Sequence, residues 1–194
     1  MSLTSEERYA LQSSLRNLEQ VFTSNLLGAR PDGREHLVFH ATFTHMLIDL
    51  NHLLRKADKL GHRVAFRDDV QPIRVLTKRG KERTVEDVTE LVGHMRNAVC
   101  HPESPLRIIY PVTIHFEFNV VQGRAHLATF EDFEIKSDYY DDIAVFYGPF
   151  RLYIYRHAQR AYRMARSALK PLIDPEPDRL RREIRPRPCL RVIK

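Results

Sequence analysis

The chain has 194 residues, a net charge of +6 and a pI near 9.5, with 43% hydrophobic and 29% charged residues. That composition fits one soluble globular domain with enough chain for a real core. No apolar run reaches the ~18 residues of a membrane span. The N-terminus lacks a basic-then-apolar signal pattern, and Cys100 and Cys189 form neither a metal spacing nor a disulfide framework, so the expected compartment is the reducing cytoplasm.

Thr4-Ser5-Glu6-Glu7 reads as a capping box opening a first helix, with Leu11, Leu15, Leu18, Phe22 and Leu26 at helical spacing. The helix should stop near Gly28, with Pro31 and Gly33 in the turn that follows. A second helix is expected from about Arg34 to Leu60, with a core stripe of Phe39, Phe43, Met46, Leu50 and Leu53 and a Gly61 cap. Residues 62–83 read as an irregular connection, with a turn at Lys78-Arg79-Gly80-Lys81 between two short strands. A third helix is expected to start at Thr84, with Asp87 as its box partner, and to end near His101, because Pro102 disfavours helical geometry at the residue before it.

The period then changes to alternation. Ile108–Val121 and Arg124–Ile135 read as strands around Gln122-Gly123, with Ile143–Tyr147 as a third. After Gly148-Pro149 a fourth helix should run to about Lys170, with Phe150, Ile154, Ala161 and Ala165 on its apolar side. The expected fold is mainly α: an up-and-down four-helix bundle over residues 1–170 with an antiparallel β insertion at about 106–147 between the third and fourth helices. Residues 171–194 form a Pro- and Arg-rich tail.

The segment richest in chemistry is His94-Met95-Arg96-Asn97-Ala98-Val99-Cys100-His101-Pro102. On a helical wheel Glu90, His94, Asn97 and His101 share a polar face, and the long stem of Arg96 brings its guanidinium round to it. Self-cleavage of RNA by its 2′-oxygen needs a base, an acid and positive charge on the phosphorane-like transition state. Histidine fills either proton role. Arginine presents a planar, permanently charged fork to phosphate oxygens. Asn97 can hold a phosphate or orient His101, with His94 and Glu90 as auxiliaries. The bland alternative has Arg96 paired with Glu90 or Asp87 and His101 capping its helix through its ring.

This segment resembles the signature of the HEPN superfamily: an Arg, a polar residue directly after it, and a His four to six residues on. Arg96-Asn97-x-x-x-His101 has that form, late in a third helix. Arg30/His36, Arg34/His40, Arg55/His62 and Arg151/His157 match the spacing without that context. The resemblance implies a metal-independent endoribonuclease of the toxin or antiphage kind, without a cofactor, working as a homodimer. It also implies an antitoxin or nucleotidyltransferase partner. A non-catalytic module that binds nucleic acid, a partner protein or a small ligand is the other reading.

Two further groups stand out. His45, Asp49 and His52 share one face of the second helix, as a metal trio or as a solvated or dimer-facing polar stripe, while His36 and His40 flank the core stripe. Arg156, Arg160 and Arg163 fall on one side of the fourth helix, with Tyr155 and Tyr162 adjoining. Such a strip can track a phosphate backbone and stack a base, or it can answer the acidic 131–142 segment of the same chain. The arginines from Arg179 to Arg191 read equally as an RNA contact or a solvated arm. No Gly-rich phosphate loop, Gly-x-Ser-x-Gly, Cys-x-x-Cys or His-Glu-x-x-His occurs, which removes support for nucleotide hydrolases, serine hydrolases and zinc proteases.

Overall fold

Thr4 caps the first helix as its sequence dictates. Its hydroxyl accepts from the Glu7 N–H, and the Glu7 carboxylate accepts from the Thr4 N–H, at 3.1 and 3.0 Å. The computed structural model describes residues 3–24, 26–28, 35–76, 82–101, 103–109, 114–130 and 133–174. Helix α1 is Ser5–Thr23 and α2 is Glu35–Lys59. The hairpin β1 (Ile73–Leu76) and β2 (Glu82–Val85) follows, then α3 (Val88–Cys100) and a 3₁₀ turn at Pro105–Arg107. Strands β3 (Ile108–Ile109), β4 (Ile114–His115), β5 (Asn119–Gln122), β6 (Ala125–Phe130), β7 (Phe133–Ser137), β8 (Ile143–Tyr147) and β9 (Phe150–Tyr153) come next. A π-helical turn at Ile154–Gln159 leads into α4 (Arg160–Ile173). The Lys78–Lys81 turn, Pro31, Gly33, Pro102, Cys189 and the Arg179–Arg191 arm lie outside the described residues.

The expectation of a mainly α up-and-down bundle is overturned. The described residues form a mixed α/β fold, with four α-helices and four small antiparallel sheets, ordered β1-β2, β3-β4, β5-β8-β9 and β6-β7. The helices do pack on one another: α2 lies against α1, α3 and α4. The expected α2 stripe of Phe39, Phe43, Met46, Leu50 and Leu53 is buried. However, the core beside them is completed by a sheet. Strand β8 is central in its sheet and buried on both faces. Its Ile143, Val145 and Tyr147 join the helical core, while Ala144 and Phe146 join a second, smaller core with Ile109, Ile135 and Tyr153. Period-two alternation assigns the two sets to opposite faces.

Three boundaries differ from the sequence expectation. Thr84 pairs with Arg74 in the β1–β2 hairpin, so α3 begins four residues later, with Asp87 as its cap accepting from the Glu90 N–H at 2.9 Å. The span expected as one strand, Ile108–Val121, holds β3, β4 and most of β5, and Arg124–Ile135 holds β6 and part of β7; β5 pairs with β8, and β6 with β7. Phe150–Tyr153 is a strand rather than the start of the fourth helix, because Gly148-Pro149 turns β9 back onto β8 in the register Tyr147↔Phe150. No helix among the described residues is long and apolar enough to cross a membrane.

Gly148 links this hairpin to the segment that follows α3. Its φ is +55°, and a Cβ there would sit 2.7 Å from the Leu106 carbonyl oxygen, in the 3₁₀ turn. Positive φ strains an L residue by about 1–2 kcal/mol, before any clash. Gly148→Ala is therefore expected to destabilise the protein by about 2 kcal/mol, measured as a lowered urea midpoint at unchanged m-value.

Candidate functional site

Helix α3 carries the site residues on a rigid, buried element. Val88, Leu91, Val92, Met95 and Ala98 face the core, which turns Glu90, His94 and Asn97 outward into one cleft of about 200 Å³ between α2, β2 and α3. His101 caps the helix C-terminus: its backbone N–H donates to the Asn97 carbonyl at 3.2 Å, and its side chain is exposed.

Arg96 Nη1 donates to Asn97 Oδ1 at 3.1 Å. Its Nε is buried without a hydrogen-bond partner among the described residues, and no acid there forms an ion pair with it. The acids that the bland reading offered Arg96 are taken. Asp87 binds Arg63 at 2.7 Å, and Glu90 is engaged by Arg83 and, at 3.7 Å, by Arg63. Glu90 thus ties β2 and the α2–α3 connection to α3, and it does not neutralise the Arg96 charge. Asn97 is the shared element: its side-chain oxygen accepts from Arg96 and its backbone oxygen accepts from His101.

His94 lies in the same cleft and stacks on Phe150, ring centroids 6.3 Å apart. Burial, reinforced by the Arg83 charge, pushes its pKa below the usual histidine value. His94 is therefore a neutral imidazole at pH 7.

The fourth-helix strip is largely engaged inside the molecule. Arg156 pairs with Asp141 at 2.9 Å and covers the Tyr139 ring at 3.9 Å. Arg160 pairs with Asp68 at 2.9 Å and covers Phe66. Arg151 pairs with Asp138 at 2.8 Å. The basic segment answers the acidic 131–142 segment through Arg151 and Arg156. Arg163 and Tyr155 are exposed, whereas Tyr162 is buried against Phe22, with its hydroxyl 3.4 Å from the Leu15 carbonyl, out of reach of a stacking base. The π-helical turn also breaks the α-helical phase that put Arg156 in line with Arg160 and Arg163.

His45, Asp49 and His52 do not converge on a metal position: among the described residues no three His, Cys, Asp or Glu side chains do. Asp49 is instead the buried hub between α1 and α2. Ser14 Oγ donates to it at 2.8 Å, Asn17 Nδ2 at 3.0 Å, and His45 Nδ1 lies 3.5 Å away. Ser14 has one proton and gives it to Asp49, so His52 Nδ1, 3.0 Å from Ser14 Oγ, is the donor in that contact. Ser14→Ala leaves the buried carboxylate short of a donor. A loss of about 1–2 kcal/mol in chemical denaturation is the expected result.

A second polar hollow, of about 620 Å³, was not singled out by sequence reasoning. It is lined by Asp69, Thr129, Glu134, Lys136, Tyr139 and Arg151, among others. Asp69 holds φ +62°, and its carboxylate accepts from the Tyr139 hydroxyl; that bond and burial push the Tyr139 pKa up to about 12. The only sequence signal for this hollow was the charge complementarity of the acidic 131–142 segment and the arginines that follow it.

Comparison with protein-family models, with curated proteins and with solved structures finds no match to this chain.

Proposed function

We propose that the chain is an endoribonuclease that cuts RNA without a metal, by attack of a 2′-oxygen on the adjacent phosphate. The observation that carries this reading is the arrangement around Asn97. It joins an arginine that no described acid neutralises to a histidine exposed at the end of the same helix. The Arg-polar-x3-His resemblance points to the same chemistry.

In this reading the Arg96 fork holds the non-bridging oxygens of the scissile phosphate. It stabilises the charge that grows there as the O2′–P bond forms. Asn97 fixes the guanidinium so that little reorganisation is needed. A base takes the 2′-hydroxyl proton, and an acid returns a proton to the departing 5′-oxygen as the P–O5′ bond breaks. The products carry a 2′,3′-cyclic phosphate and a 5′-hydroxyl. Imidazole serves both roles near neutrality. One His101 per chain supplies one proton carrier, so the reading includes a homodimer in which two copies of His101 act as base and acid. Leu37, Val38 and Ile48, which α2 leaves exposed, offer apolar surface for such pairing. The reaction belongs in the cytoplasm, with its RNA substrates.

The test is incubation of purified protein with pooled RNA in EDTA. Cleavage supports the reading. Retardation of intact RNA on a gel, without cleavage, replaces it with a non-catalytic nucleic-acid-binding module.

A further inference from the structure

Two arginines near Asn97 have no acidic partner among the described residues. One is Arg96. The other is Arg55 of α2, whose Nε donates to Asn51 Oδ1 at 3.1 Å and which forms no ion pair among the described residues. The other two arginines of the cleft are answered: Arg63 by Asp58 at 3.0 Å and by Asp87, and Arg83 by Glu90. The cluster of Arg63, Arg83, Asp58, Asp87 and Glu90 therefore sets two arginines against three acids, and Arg55 is the arginine of the cleft left without a direct acidic contact among the described residues.

Arg55 lies against α3 at Gly93. A Cβ built on Gly93 would lie 3.7 Å from Arg55 Nη2. Gly93 is one helical turn before Asn97, and residues four apart share a face. The guanidinium of Arg55 thus lies against α3 a turn upstream of the Arg96–Asn97 pair, and Arg55, Gly93 and Asn97 line one cleft. At the same place His94 lines the cleft, and its imidazole, held neutral by burial, adds no charge there.

We infer that this cleft is a second phosphate subsite, in which Arg55, with Asn97 and His94 beside it, grips the phosphate next to the one held by Arg96. The inference rests on the RNA-cleaving reading and deepens it by naming how the strand is held. A planar guanidinium without a carboxylate partner is the group that recognises phosphate oxygens in pairs. Two such groups along one helix face read two successive phosphates of a single strand, without selecting a base. Arg55 is a positioning residue here: it sets affinity and register, while Arg96 and His101 meet the reacting atoms.

The experiment uses uncleavable probes: a 2′-deoxy dinucleotide, and the same dinucleotide with an added 5′-phosphate or an added 3′-phosphate. Each is titrated against the full-length wild type, Arg55→Ala and Arg55→Lys. The added phosphate at one end is expected to tighten wild-type binding about tenfold, a gain that falls below about twofold in Arg55→Ala and is partly kept in Arg55→Lys. Affinity for the unmodified dinucleotide stays the same in all three proteins. The slope of log K against log salt for the phosphorylated probe drops by about 0.7 in Arg55→Ala, the signature of one lost single-strand phosphate contact. A tenfold gain that survives in Arg55→Ala overturns the subsite and leaves the cleavage reading intact. So does an equal weakening of the unmodified dinucleotide. Failure of the wild type to bind any probe overturns both.

Discussion

Arg96→Ala and His101→Ala are each expected to lose about 10³-fold of the RNA-cleaving activity that the wild type keeps in EDTA, with both variants still folded. General acid–base catalysis by a placed side chain contributes roughly 10²–10⁴-fold, and a preorganised charge on a developing oxyanion about 10²–10³-fold. Either loss corresponds to about 4 kcal/mol of transition-state stabilisation. Neither residue holds the fold together. The His101 side chain is exposed, and its helix-capping bond uses the backbone N–H, which alanine keeps. Arg96 forms one hydrogen bond, to its neighbour Asn97, and no ion pair among the described residues. Arg96→Lys keeps the charge but loses the fork, so it should recover only part of the activity. Circular dichroism and a denaturation curve taken beside the activity assay separate catalysis from folding. Activity within a few-fold of wild type in either alanine variant contradicts the assignment.

The second large effect is on stability in acid. His157 is fully buried in the π-helical turn, and burial pushes its pKa from 6.5 down to about 4. Its Nδ1 accepts from the Tyr153 N–H at 3.2 Å, so the single proton of the neutral ring sits on Nε2. The folded state holds this ring neutral below the pH at which the unfolded chain protonates it. As pH falls through 6.5 the unfolded state takes up a proton first, and stability drops until the folded ring also protonates near pH 4. The gap corresponds to roughly 3 kcal/mol. In His157→Asn an acceptor remains near Tyr153 and nothing titrates at that position. Comparing the two proteins cancels other groups, including the buried Asp142, whose carboxyl burial pushes the opposite way. The wild type should lose roughly 3 kcal/mol more than the variant between pH 6.5 and 4. Parallel unfolding curves over that range would remove His157 as the cause.

What could be read from the chain depended on the range of the interactions. The Thr4–Glu7 box, the α2 stripe and the end of α3 at His101 are written in residues within a turn or two of one another, and the structure has them. The start of α3 was expected at Thr84, with Asp87 as its box partner. Pairing of Thr84 with Arg74 across the β1–β2 hairpin moves the cap to Asp87, and that contact is not local. Phe150, Ile154, Ala161 and Ala165 fit a helical period equally well as a strand, a π turn and a helix laid end to end. Only the docking of β9 on β8 separates the two. For that reason a bundle was expected where a sheet completes the core. In the site, the polar face of Glu90, His94 and Asn97 was legible from helical geometry. Arg55 was not, since its place over Gly93 depends on how α2 crosses α3.

The central claim is that Arg96 and His101 cut RNA through its own 2′-oxygen, and the ends of the cleaved strands test it most directly. Mass spectrometry of fragments made by the purified protein in EDTA should find 2′,3′-cyclic phosphate and 5′-hydroxyl ends, and no cleavage at a linkage whose 2′-hydroxyl has been replaced by hydrogen. Fragments with 5′-phosphate and 3′-hydroxyl ends, or cleavage at the 2′-deoxy linkage, would contradict it.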